Sequence, residues 1–163
     1  MTALTGGPAG DPDCPRGTIL PSAGKRRWEP RLGRVETTPA QRFASARVAR
    51  LATVTPDGAP HLVPIVFALV GDVIHTGVDG KPKRYRNLRR LVNIAREPRV
   101  SVLADGYDED WSQLWWVRAD GVATVSDEPE PALIDRYPQY RVSPPPGPFL
   151  RIRVTSWHAW SAT

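Results

Sequence analysis

The chain has 163 residues, which gives room for one domain with a modest core. A formal charge of +5 and a sequence pI of about 9.9 favour anionic partners without choosing among them. Cys14 is the only cysteine, so an intrachain disulfide and a Cys-based metal site are excluded, which suits a cytoplasmic protein; the longest wholly apolar run, residues 62–70, is too short to span a bilayer, and no secretory signal pattern lies near Met1.

Residues 1–34 hold five prolines and six glycines with little apolar periodicity, which predicts a disordered basic extension before a domain over 35–163. Thr38 is placed to cap a short helix with Pro39 at its first position. "RVARLATVT" (47–55) reads as a first strand and "TPDG" as a tight turn. The run "APHLVPIVFAL" is rich in β-branched and aromatic residues and reads as a second strand. Pro64 inside it implies an edge, a bulge or a close backbone approach to a ligand. Gly71-Asp72 predicts a hairpin turn into "DVIHTGV", the third strand.

A helix is expected from about Arg84 to Arg96, with Tyr85, Leu88, Leu91, Val92 and Ala95 on its apolar face and Pro98 stopping it. "PRVSVLAD" and "SQLWWVRADGVATV" read as the fourth and fifth strands, the latter with a kink or bulge at Asp120-Gly121. A short acidic helix near "EPEPALIDRY" and a rigid "PPPGP" connection lead to the last strand, where Leu150, Ile152 and Val154 alternate with Arg151, Arg153 and Thr155. Six closely spaced strands with few helices predict a mainly β, six-stranded antiparallel barrel.

Chemistry is concentrated in few places. "HTGVDGKPK" runs from a strand end through a glycine-bearing loop to a helix start, where free N–H groups favour an anion. Lys81 and Lys83 in that loop form a candidate phosphate site, while Arg86, Arg89 and Arg90 are expected to face water. A nucleic-acid surface is disfavoured, since no RNP-like run or helix-turn-helix pattern occurs and Asp108, Glu109 and Asp110 lie among the aromatics. His61, His75 and His158 are scattered, so no metal site is assigned. "LWWVR" sends Trp115 and Trp116 to opposite strand faces and gives Trp116 and Arg118 the same one.

The ordered set "ARLATVTPDGAPHLVPIVFAL", "IHTGVDGKPKRYRNL", "NIAREPRVSVLAD", "DWSQLWWVRADGVATV" and "SWHAWSA" resembles the pyridoxamine-phosphate-oxidase-like flavoproteins, over about residues 38–162. The closer resemblance is to their actinobacterial branch that uses the deazaflavin coenzyme F420. It implies a split β-barrel, a homodimer with cofactor sites at the subunit interface, and hydride transfer to a small conjugated organic substrate; the alternatives are an FMN-binding oxidase or reductase and a non-catalytic F420-binding or carrier protein. By position, it implies that Thr76, Lys81 and Lys83 hold the cofactor phosphate and that His61, Val63 and Pro64 lie along the ring. Arg84 would join the anionic track, and Trp116, Arg118 and Trp160 would stand near the ring or substrate. No catalytic residue is assigned, and the segment "SDEPEPALIDRYPQY" is shorter than the family helix.

Overall fold

The computed structural model describes residues 37–78 and 88–162. The expected extension, 1–34, lies outside them. The first element is α1 (Pro39–Ser45), whose start is fixed by a reciprocal cap. The Thr38 hydroxyl accepts from the Gln41 amide at 3.2 Å, and the Gln41 side chain accepts from the Thr38 N–H at 2.9 Å. Strands β1 (Ala49–Val54) and β2 (Pro60–Ile65) follow around the Pro-Asp-Gly turn, then β3 (Ala68–Val70) and β4 (Val73–Gly77). Helix α2 (Arg89–Arg96) leads to β5 (Arg99–Gly106), and β6 (Trp115–Ser126) comes next. Two short helices, α3 (Pro131–Arg136) and α4 (Pro138–Val142), precede β7 (Phe149–Ser161).

All strands join one antiparallel sheet in the order β2-β1-β5-β6-β7-β4-β3. Its two edges, β2 and β3, are separated in the chain by Val66 and Phe67 alone. Three peptide steps span no more than about 10 Å, so the sheet must curl until its edges nearly meet. This is a mainly β, antiparallel split barrel, with seven strands where six were expected. The extra strand arises because the single run "APHLVPIVFAL" breaks at Val66-Phe67 and serves both edges. Tyr137 makes the break tolerable: its hydroxyl accepts from the Phe67 N–H at 3.0 Å and lies 2.7 Å from the Phe67 carbonyl and 3.0 Å from that of Arg47. The Phe67 groups, buried with that residue, would otherwise lack these partners.

The inner faces close on Phe43, Leu51, Phe67, Ile74, Val102 and Ile152, all fully buried. Each such side chain contributes roughly 1.5–3 kcal/mol of apolar burial. Phe43 brings α1 into this core, with ring centroids 4.7 Å from Phe67 and 5.3 Å from Trp157. A smaller cluster of Ala68, Leu133, Tyr137 and Phe149 seats α3.

Two local expectations are corrected. The α2 face that enters the core carries Asn93 and Ile94, with Leu91 packed beside them, whereas Val92 and Ala95 are exposed. Arg89 is exposed, but Arg90 is half-buried. Tyr85 and the expected helix start, 84–87, lie outside the described residues. The irregularity at Asp120/Gly121 is where the sequence puts it, yet the extra residue belongs to the facing strand. Asp120 pairs with Ser156 and Gly121 with Val154, leaving Thr155 bulged. Among the described residues no helix is long and apolar enough to cross a membrane.

Candidate functional site

The bulge decides which residues of β7 reach the outer face. Simple alternation after Leu150, Ile152 and Val154 would turn Ser156, His158 and Trp160 into the barrel. One additional residue reverses every later side chain, so these three face outward instead. Trp160 then stands opposite Trp116, and His158 opposite Arg118. Trp116, Arg118 and Trp160 are therefore brought together on one face, as Trp115 turns inward to pack on the core. Gly121 permits the arrangement, since a Cβ there would meet the Arg153 carbonyl oxygen at 2.5 Å.

Charge on this outer face is paired within the chain. Asp120 accepts from Ser101 Oγ at 2.6 Å and from Arg118 at 2.9 Å, with His158 Nε2 3.3 Å away. Partial burial opposes its charge, but the Ser101 hydroxyl, then Arg118 and His158, hold the carboxyl below its usual pKa. Arg50 on β1 pairs with Asp105 on β5. Between the ion pairs lie exposed apolar side chains: Leu62 is 65% exposed, Trp160 49% and Leu103 37%. Among the described residues no helix covers this side of β1, β5 and β6 at those positions, leaving an aromatic and apolar surface studded with fixed charges.

Strand β2 is the adjoining edge. Thr55 N–H donates to the Ala59 carbonyl at 2.9 Å, and the ladder register continues from there. Alternation therefore makes Thr53–His61 and Leu51–Val63 the mutually hydrogen-bonded pairs, while Pro60, Leu62 and Pro64 aim their backbone groups at the free edge. Both prolines thus cost the ladder nothing, which answers the presence of Pro64 inside a strand. The edge offers the Leu62 N–H as a donor, flanked by the carbonyls of Pro60, Leu62 and Pro64. The backbone of Val63 is committed to β1. The side chains of His61 and Val63 face inward, and His61 is half-buried with Nδ1 3.2 Å from Thr53 Oγ1.

Thr76 is buried near the end of β4, opposite Leu150. Lys81, Lys83 and Arg84 lie outside the described residues, but both ends of their segment are placed: Thr76-Gly77-Val78 before it and Leu88 after it. Extending the β3–β4 register puts Phe67 beside Thr76, so the Pro64 end of β2 and the Thr76 end of β4 belong to one side of the barrel. Helix α2 opens on Leu88 with no side-chain cap among the described residues, and its first turn holds no acid and begins with Arg89 and Arg90. Beside Thr76, His75 lies 3.8 Å from Glu130, and burial pushes its pKa down against the opposing pull of that carboxylate.

A shallow groove of about 410 Å³ lies at the far end of the outer face, lined by Val54, Pro60, Arg99, Ser101, Asp120 and Thr155 among others. None of the residues assigned to a cofactor lines it, so it is not the site assembled above. No group of three or more His, Cys, Asp or Glu among the described residues could hold a metal ion. Asn93 and Thr53, which hold His61, escape a reading of the sequence because a lone Asn in an arginine-rich helix carries no motif.

Residues 37–161 match the family described as pyridoxamine 5'-phosphate oxidase. The chain belongs to that family. Solved structures agree on the fold. A conserved hypothetical protein from Mycobacterium tuberculosis superposes with TM-score 0.60 at 27% identity, covering 76% of this chain and 82% of that one. A heme binding protein from Mycobacterium smegmatis gives 0.56 at 19% identity, over 78% of this chain and 60% of that one. A protein named as FAD-binding from Mesorhizobium loti gives 0.52 at 20% identity, over 72% and 87%. No curated protein matches the sequence. The last two likenesses establish the split-barrel fold alone.

Proposed function

We propose that this member of the pyridoxamine 5'-phosphate oxidase family is a homodimeric oxidoreductase that uses coenzyme F420 and passes hydride to a small conjugated organic substrate. The observation that carries the reading is the start of α2: a helix N-terminus with no side-chain cap among the described residues and a first turn that contains arginine and no acid. Positive side chains there oppose the helix dipole, a balance that a bound anion restores. The sequence sets Lys83 and Lys81 six and eight residues before Arg89, and Thr76 before them. A phosphate-bearing cofactor fits that donor set.

F420, when bound, supplies the hydride chemistry. The chain's own task is to hold and orient it. Lys81, Lys83 and Thr76 take the phosphate, with Arg84 beside them for the acidic tail. The β2 edge at Leu62 and Pro64, with His61 and Val63 behind it, receives the ring. Trp116, Trp160 and Arg118 offer an aromatic surface with a positive group for ring or substrate. The exposed Leu62, Leu103 and Trp160 support pairing of two copies through this face. Sedimentation at micromolar concentration should return a dimer, and a monomer would remove that part of the reading.

FMN is the second reading, favoured by the family's description and by the FAD-binding name of a structural relative. Either cofactor makes the same demand on the lysines. Lys83→Ala should weaken binding roughly 10- to 150-fold through loss of a charge-assisted contact, read by fluorescence titration. An unchanged affinity would overturn the phosphate assignment.

A further inference from the structure

A buried polar relay crosses from α2 to the β2 edge. Asn93 is 0% exposed and Thr53 3%. Asn93 Nδ2 donates to Thr53 Oγ1 at 2.9 Å, and Thr53 Oγ1 lies 3.2 Å from His61 Nδ1. Asn93 Oδ1 is buried without a partner. The proton count gives the relay a direction. Reversing the amide would leave two buried N–H groups without partners in place of one N–H and one carbonyl, which is the costlier choice because an orphaned N–H is rarer than an orphaned carbonyl. Thr53 Oγ1 therefore receives a proton from Asn93 and has a single one to give.

Two acceptors compete for that proton. The His61 carbonyl is 3.5 Å away and, by the ladder alternation, already accepts the Thr53 N–H. His61 Nδ1 is nearer and has no other partner among the described residues. The hydroxyl thus donates to Nδ1, which leaves the ring proton on Nε2.

We infer that Asn93 and Thr53 are positioning residues that lock His61 in the neutral Nε2–H tautomer, giving β2 a fixed hydrogen-bond donor. Resting on the reading of β2 as the ring-lining strand, that donor serves an electronegative atom of the bound ring, whose electron density rises on reduction. The helix that receives the phosphate also carries the residue that orients the relay, so the two ends of the cofactor are held by connected parts.

The test is long-range ¹H–¹⁵N NMR of the histidine rings in the full chain, at a pH where imidazole is neutral, beside a histidine peptide under the same conditions. His61 should show an Nε2–H to Nδ1–H ratio at least about fivefold above the peptide's. Thr53→Ser should keep that excess, and Thr53→Val should return it to the peptide value. A dominant Nδ1–H form, a peptide-like ratio in the native chain, or a full excess in Thr53→Val would each overturn the relay. Should Thr53→Val fail to fold, the native spectrum and Thr53→Ser decide alone. Adding F420 to the same sample separates the two readings. A shift of the His61 Nε2 signal supports the donor, and saturated binding with that signal unmoved overturns its ring-side role. No binding with the tautomer intact sinks the cofactor reading and leaves the relay standing.

Discussion

His75 shows how one buried titratable group writes itself into stability. Burial first, and then Arg151, lower its pKa, while Glu130 pulls the other way. A depressed histidine pKa means that the unfolded chain binds more protons than the folded one as pH falls through the ordinary imidazole range near 6.5. Stability should therefore fall as pH drops from about 7.5 towards the depressed folded value, below which this contribution levels off. Urea unfolding of the native chain and of His75→Gln across that range reads the effect. A slope as steep in His75→Gln as in the native chain would assign it to other groups. Polar residues of this kind were hard to read in advance. Asn93 sits in "NIAREP" among charged neighbours and reads as part of a wet face, but Thr53 from the adjacent strand makes its burial affordable. Tyr137 likewise reads as a helix end, and its bonds to Phe67 and Arg47 join segments about 70 and 90 positions away.

Among the elements, the β6–β7 ribbon bears most on the site. Its register shift at Asp120/Gly121 turns Trp160 and His158 outward to meet Trp116 and Arg118. Gly121→Ala forces a Cβ against the Arg153 carbonyl. The expected cost is about 1–3 kcal/mol of stability, measured by chemical denaturation. Trp160 fluorescence should change as well, because straightening the bulge would reverse the faces beyond it. Unaltered stability and fluorescence together would show that the glycine is dispensable. Local signals located these elements well. The Thr38 cap, the turn at Pro56-Asp57-Gly58, the hairpin at Gly71-Asp72 and the bulge itself each depend on a few neighbouring residues. What local signals lacked was the facing partner. They could not say that the extra residue is Thr155, that Val66-Phe67 divides one run between two sheet edges, or that Asn93 rather than Val92 enters the core.

The described domain is built on a sheet rolled until β2 and β3 nearly meet, and the rolling sets where the elements of the proposed site lie. It brings the Pro64 end of β2 to the side where β4 delivers Thr76 into the lysine-bearing segment, and it leaves the Trp116–Trp160 face uncovered. The barrel is legible in the order of motifs along the chain, and residues 37–161 carry the family match. The identity of the cofactor rests on a finer distinction, between a deazaflavin with an acidic tail and FMN. Parallel fluorescence titrations of the purified chain with F420 and with FMN draw it most directly. Saturable micromolar binding of F420 and weaker binding of FMN are the expected result. Tighter binding of FMN would contradict the F420 assignment, and micromolar binding of neither would contradict the cofactor site itself.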